Sequence, residues 1–230
     1  MRLRPFVLLC FPLGLLVLAC FACRNSSSQS QPQSLPLITK EPVVFTNHSF
    51  DPASPPPDMP PLSPGESAEC DSDFRSHASL LWRPGRTDAT HATVTITQVR
   101  MTLQLRINTW VPAGASQHLI EHEDGHRQIS ESYYQTADKL AAQIAADYIG
   151  RQVEVTGADL NAESEKMVQQ MAKAITDEYN RQLDPSPAQL LYDSITDHAR
   201  NDVAAKDAVA HALKNVAIEA PRDQNARPSP

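Results

Sequence analysis

Two histidines four residues apart, with a glutamate directly after the first, constrain this chain more than any other feature: His122-Glu123-Asp124-Gly125-His126. On a helix, residues i and i+4 lie one turn apart on one face, so both imidazoles can reach one ion while Glu123 stands beside it. Zinc takes neutral imidazole nitrogens at about 2 Å, and hydrolysis needs a carboxylate outside the ligand set to accept a proton from water on the metal. At about 100° per residue, Leu119, Ile129, Tyr133, Leu140 and Ile144 fall on one side of such a helix, and His122 and His126 lie roughly 20° from the centre of that stripe. Imidazoles turned into a fold need partners, and one metal ion partners both. Satisfied core histidines are the competing reading.

A second frame shares His122: His118-Leu119-Ile120-Glu121-His122 reads as the inverted HxxEH motif. The same wheel sets Glu121 roughly 120° from the apolar centre against roughly 80° for Glu123, which favours the HExxH frame. Polar Asp124, Arg127 and Gln128 stand where such motifs usually carry uncharged or apolar residues, and Gly125 costs about 1 kcal/mol of helix propensity.

The ends of the chain speak to location. Residues 1–19 join a basic start, Met-Arg-Leu-Arg, to an apolar run that ends in Val17-Leu18-Ala19 before Cys20, the pattern of a bacterial signal peptide with a lipobox-like end. The expectation is cleavage before Cys20 and a lipid anchor on it, with Cys23 a weaker alternative. An oxidising periplasm would allow Cys23 and Cys70 to pair. The formal charge of −7 and the lack of a basic cluster exclude a nucleic-acid footprint.

Residues 20–65 are dominated by Ser, Gln and Pro, including Pro55-Pro56-Pro57 and Pro60-Pro61, and read as a disordered tether. Residues 66–220 are the size of one domain, and 221–230 read as a disordered tail. Val94 and Ile96 alternate with threonines, and Val99, Met101, Leu103, Leu105 and Ile107 alternate with polar residues, which is the period of half-buried strand. The parity switch at Thr97-Gln98 predicts a bulge or turn. Trp110-Val111-Pro112 ends the sheet. A helix capped by Ser116 should then run to Gly150, a second from the Asp159 cap to about Leu183, and a third helical region beyond Asp184-Pro185-Ser186-Pro187. The fold class expected is α+β, a small antiparallel sheet packed on long helices, with the motif on the first long helix.

A catalytic zinc needs a third protein ligand. The short extension HExxHxxGxxH is absent, since position 132 is Ser132. Glu163, Glu165, Glu178, His198 and His211 are the candidates; Glu178 shares an inward face with Ala174 by spacing, and His198 closes the segment Tyr192-Asp193-Ser194-Ile195-Thr196-Asp197-His198.

The signal peptide, strands ending in Trp-x-Pro, Leu-Ile-Glu-His-Glu-Asp-Gly-His-Arg and a downstream Tyr-Asp-x-x-Thr-x-His together resemble a family of secreted bacterial proteins predicted to be zinc-dependent metallopeptidases, over about residues 70–215. The position after the last histidine, glycine in that family's pattern, is Ala199 here. The resemblance implies a zincin-like fold, Zn2+ held by His122, His126 and His198, Glu123 as general base, and Tyr192 as an oxyanion donor, with an ordinary core aromatic as the competing reading for Tyr192. The function it implies is peptide hydrolysis in the bacterial envelope, facing the periplasm. The strand around Val99 to Ile107 would pair with an extended peptide substrate by β-addition. The rival class is a non-catalytic envelope lipoprotein whose motif helix is structural or holds a structural metal.

Overall fold

The computed structural model describes residues 34–62 and 65–219. Its elements are, in chain order, β1 (Leu37–Lys40), β2 (Val44–Phe50), β3 (Glu69–Arg86), β4 (His91–Pro112), α1 (Gln117–Gln135), α2 (Ala137–Ala146), β5 (Gln152–Thr156), α3 (Leu160–Gln182), α4 (Ser186–Thr196) and α5 (Ala205–Glu219). This is a mixed αβ architecture. The signal-peptide and lipidation expectations for Cys20 and Cys23, and any pairing of Cys23 with Cys70, lie outside the described residues.

The organising element is β4. Val94, Ile96, Val99, Met101, Leu103, Leu105 and Ile107 are all buried on the face turned to α2 and α3, where Ala141, Ile144, Met171, Ile175 and Tyr179 meet them. Burial of each such side chain is worth roughly 1.5–3 kcal/mol, so this stripe anchors the fold. The predicted parity switch is a bulge inside a continuous strand: Leu81 faces Gln98 and Trp82 faces Ile96, which leaves Thr97 as the extra residue.

The expected antiparallel sheet is corrected to a mixed one. β3 runs antiparallel along one edge of β4 from Ala92 to Trp110, and β5 pairs antiparallel with His91 to Thr95. β1 and β2, however, pair in parallel with Arg100–Leu103 and Arg106–Pro112. Since β3 fills one edge, β5, β1 and β2 lie end to end along the other. β1 and β2 are one interrupted strand, broken at Pro42, which lacks the N–H a ladder needs.

Two further expectations fall with this topology. Residues 37–50 belong to the sheet and not to a tether, because Leu37 to Lys40 and Val44 to Phe50 carry enough apolar and β-branched side chains to pair with β4. Substrate cannot add to Val99–Ile107, because β4 is paired on both edges over most of that stretch.

The single long helix predicted from Ser116 to Gly150 is two helices. Ser116 caps α1 through its side chain, which accepts from Leu119 N–H, as expected. The break falls at Thr136, whose hydroxyl and N–H both turn back to the Tyr133 carbonyl and compete with the i→i−4 ladder. Gly150, at φ +84°, closes the turn after α2, and its N–H donates to Ile96 O at the bulge. Asp159 caps α3 as predicted, accepting from Asn161 and Ala162. The third helical region is α4 and α5; a second apolar cluster of Ile129, Ala188, Tyr192, Ala208, Val209 and Ala212 clamps them to α1. No helix among the described residues is long and apolar enough to cross a membrane.

Candidate metal centre

The site lies where α1 meets α4. His122 and Glu123, in the second turn of α1, are both buried, and His126 follows one turn later. Opposite them α4 presents Gln189, Tyr192, Asp193 and Thr196, an i, i+3, i+4, i+7 face turned inward onto α1. Close approach of the two helices depends on Gly125: a Cβ there would stand 2.2 Å from the Tyr192 hydroxyl. The helix-propensity cost of that glycine is the condition for seating the Tyr192 ring against the two imidazoles. The ring stacks on His122 at 5.0 Å and meets His126 edge-on at 4.8 Å.

Three donor atoms converge in the pocket so formed. His122 Nε2 and His126 Nε2 are 3.2 Å apart, and Asp193 Oδ1 lies 2.8 Å from the latter and 3.5 Å from the former. Two ligands on one tetrahedral zinc, each bonded at about 2.0–2.1 Å, stand roughly 3.4 Å apart, so these separations bracket the value an ion requires. Among the described residues, His122, His126 and Asp193 form one group able to hold a metal ion, and Glu66, Asp193 and His198 form another.

The ring of His126 is oriented from behind. Gln189 Nε2 donates to the His126 carbonyl at 3.1 Å and to Ser130 Oγ at 3.0 Å, which leaves Gln189 Oε1 to accept from His126 Nδ1 at 2.6 Å. Ser130 in turn donates to Ser72 on β3 at 2.8 Å. A proton fixed on Nδ1 directs the Nε2 lone pair at Asp193 and His122, the arrangement metal-bound histidines show.

Electrostatics follow from burial. Glu123 is pushed up to about 8 by loss of water, opposed by His126 and reinforced by Glu69, Glu66 and Asp193. Glu69 is raised to about 7 by burial and by its neighbour Glu66. His122 is driven down to about 4 by burial and by His126, so it is neutral and ready to ligate at pH 7. Burial also works against a charge on His126, but its bond to Asp193 prevails and raises it. His122 Nδ1, His198 Nδ1, His118 Nε2 and Glu69 Oε2 are buried without a hydrogen-bond partner, while Asp193 Oδ1 meets the imidazole Nε2 atoms of His126 and His122.

Several expectations change here. His198 does not join His122 and His126: its Nδ1 lies 4.0 Å from Asp193 Oδ1 and 3.3 Å from Glu66 Oε1, and Asp193 takes the third position by the imidazoles. α4 ends at Thr196 with Asp197 as its cap, and His198 lies beyond it in a left-handed turn through Asp197, His198 and Ala199, at φ +48°, +52° and +63°. Tyr192 is not available as an oxyanion donor, because it is fully buried and its hydroxyl donates to the His122 carbonyl at 3.0 Å. The runner-up Glu178 turns away to Arg181 and Gln182 on α3. In the inverted frame, Glu121 is exposed and accepts from Gln117. Asp124 and Arg127, unusual in such a motif, pair on the outer side of α1, where Arg127 also reaches Glu131.

Sequence reasoning missed Asp193, Glu66, Glu69 and Gln189. The signal for two of them was present in the inward spacing of α4, where Asp193 and Gln189 are one turn apart beside Tyr192. Compared with protein-family models, with curated proteins and with solved structures, the chain matches none.

Proposed function

We propose that this chain is a zinc-dependent peptidase of the bacterial envelope, exported by its first 19 residues and anchored through Cys20. The observation that carries the reading is the triangle of His122 Nε2, His126 Nε2 and Asp193 Oδ1, with sides of 2.8, 3.2 and 3.5 Å, next to a buried Glu123. Two neutral-capable imidazoles, one carboxylate and a further carboxylate as base make a donor set suited to a catalytic rather than a closed structural zinc.

A zinc ion bound there supplies Lewis acidity for the scissile carbonyl and brings the pKa of water towards neutrality. His122 and His126 would hold it from α1 and Asp193 from α4, and Gln189 keeps the His126 ring in register. Glu123, buried beside the imidazoles, accepts the proton of the attacking water and delivers it to the leaving amine. Tyr192 positions His122 by stacking on its ring and bonding its carbonyl.

Residue-by-residue replacement in the purified protein separates metal from chemistry. His122→Ala and Asp193→Ala should each lose zinc, read by elemental analysis. Glu123→Gln should keep stoichiometric zinc and lose hydrolysis of a peptide library by 100-fold or more, in line with the ~10²–10⁴ that a general base contributes. Full activity in Glu123→Gln, or no zinc in the parent protein, overturns the reading.

A further inference from the structure

Asp193 belongs to both groups of potential ligands, and the second group is not needed by a one-metal peptidase. We propose that Glu66, His198 and Asp193 hold a second divalent cation, with the Asp193 carboxylate bridging it to the ion held by His122 and His126. The inference rests on the first site binding its ion.

Geometry supports the assignment. Glu66 Oε1 and His198 Nδ1 are 3.3 Å apart, and His198 Nδ1 and Asp193 Oδ1 are 4.0 Å apart. The three ligand atoms all lie within 4.8 Å of one another, and ligands on one tetrahedral zinc stand roughly 3.4 Å apart, so side-chain shifts would bring them onto one ion. The separations in both groups run to the same Asp193 oxygen, Oδ1, so this carboxylate is placed to bridge two ions, through that oxygen or by turning Oδ2 to the second, at the roughly 3.5–4 Å spacing of two-metal hydrolase centres. His198 has the right place for the second ion and the wrong place for the first. Its Nδ1 is buried without a hydrogen-bond partner, although the His198 side chain as a whole is partly exposed.

Charge points the same way. Glu66, Glu69, Glu123 and Asp193 are four carboxylates in one neighbourhood, and the ion pairs made by any of them among the described residues are with histidine, never with lysine or arginine. Buried carboxylates are stable when paired or bound to metal. The second ion would add a Lewis acid beside Glu66, which also lines an apolar cavity of about 590 Å³ formed by Phe50, Met59, Leu62 and neighbouring prolines.

The test is a cobalt titration of the whole chain after chelation, followed by visible absorption and by equilibrium dialysis with elemental analysis. The expected result is two ions per chain, the second bound at least 10-fold more weakly, with magnetic coupling between the two Co2+ ions in the fully loaded protein. His198→Ala and Glu66→Gln should each hold one ion, with the affinity of the tight site changed by less than about 10-fold, the lower limit typical when an outer-shell partner is lost. Saturation of the parent protein at a single ion overturns the second site and leaves the first intact. Loss of the tight ion in His198→Ala also overturns it, by placing His198 in the first site. Absence of any bound ion removes both. Glu66→Gln changes one atom of a partly exposed side chain, so it keeps the test sharp if His198→Ala disturbs the turn after α4.

Discussion

At the scale of single residues, the histidines are set by groups that never touch an ion. Gln189 is the clearest case, since its amide clamps the backbone and the ring of His126 together. Gln189→Leu should leave the Nδ1 proton unpaired and lower zinc affinity 10- to 100-fold in a chelator competition, while Gln189→Glu, which keeps the acceptor, should lose much less. Equal losses in both would mean that Gln189 acts only through packing. Burial of Glu123 has a separate signature in the ion-free protein. A carboxyl whose pKa is raised on folding binds its proton more tightly in the native state, so stability falls as pH rises towards the folded value. His122, lowered on folding, works in the opposite sense, but only below about 6.5, its ordinary value. Between pH 6.5 and 8, then, the chelated protein should lose stability with rising pH, Glu123 and the raised His126 acting in the same direction. Glu123→Gln should flatten that slope in thermal melts. A parent slope that is flat or rising over this window would contradict the burial of an ionisable Glu123.

At the scale of elements, the sequence was readable where one helix or strand supplies its own signal. The alternation of β4, the bulge at Thr97, the Ser116 and Asp159 caps and the inward phase of His122 and His126 are all local patterns, and all are present. What was not legible depends on two elements at once. The need for Gly125 is invisible without Tyr192 above it, and the choice of Asp193 over His198 is made by where α4 stops. The helix break at Thr136 was masked because the apolar stripe continues through it. The turn after α4 is an element-scale feature with a measurable cost: three successive non-glycine residues hold positive φ, each about 1–2 kcal/mol above a right-handed conformation. Ala199, at φ +63°, carries no side-chain function there, so Ala199→Gly should raise stability by roughly 0.5–1 kcal/mol after the extra unfolded-state entropy of glycine is counted. Chemical denaturation measures this directly, and a loss of stability would show that the left-handed turn is not the native conformation.

At the scale of the whole molecule, the boundary of the domain is the main revision. Composition marks residues 20–65 as polar and proline-rich, and averaged over that window the short apolar runs Leu35-Pro36-Leu37-Ile38 and Val43-Val44-Phe45 disappear. In the fold these runs are the parallel strand that closes the second edge of β4: Lys40 reaches across to Asp138 on α2, Tyr134 donates to Glu41 O and Leu103 O, and Arg127 lies over Phe45. β1 and β2 therefore join the sheet to both helices of the motif arm, and β2 runs beside the end of β4 from which α1 departs. A chain that begins at Cys70 would leave the edge of β4 unpaired from Arg100 to Pro112 and uncover Met101, Leu103 and Tyr134 on one side. A chain that begins at Ser34 retains both strands. The expected outcome is that the longer form folds cooperatively and binds zinc, while the shorter form aggregates or melts at least 10 °C lower, since a loss of 2 kcal/mol shifts the midpoint of a domain this size by roughly 4–8 °C and two strands contribute more than that. Equal melting temperatures and equal zinc content in the two forms would return residues 34–50 to the role of a tether.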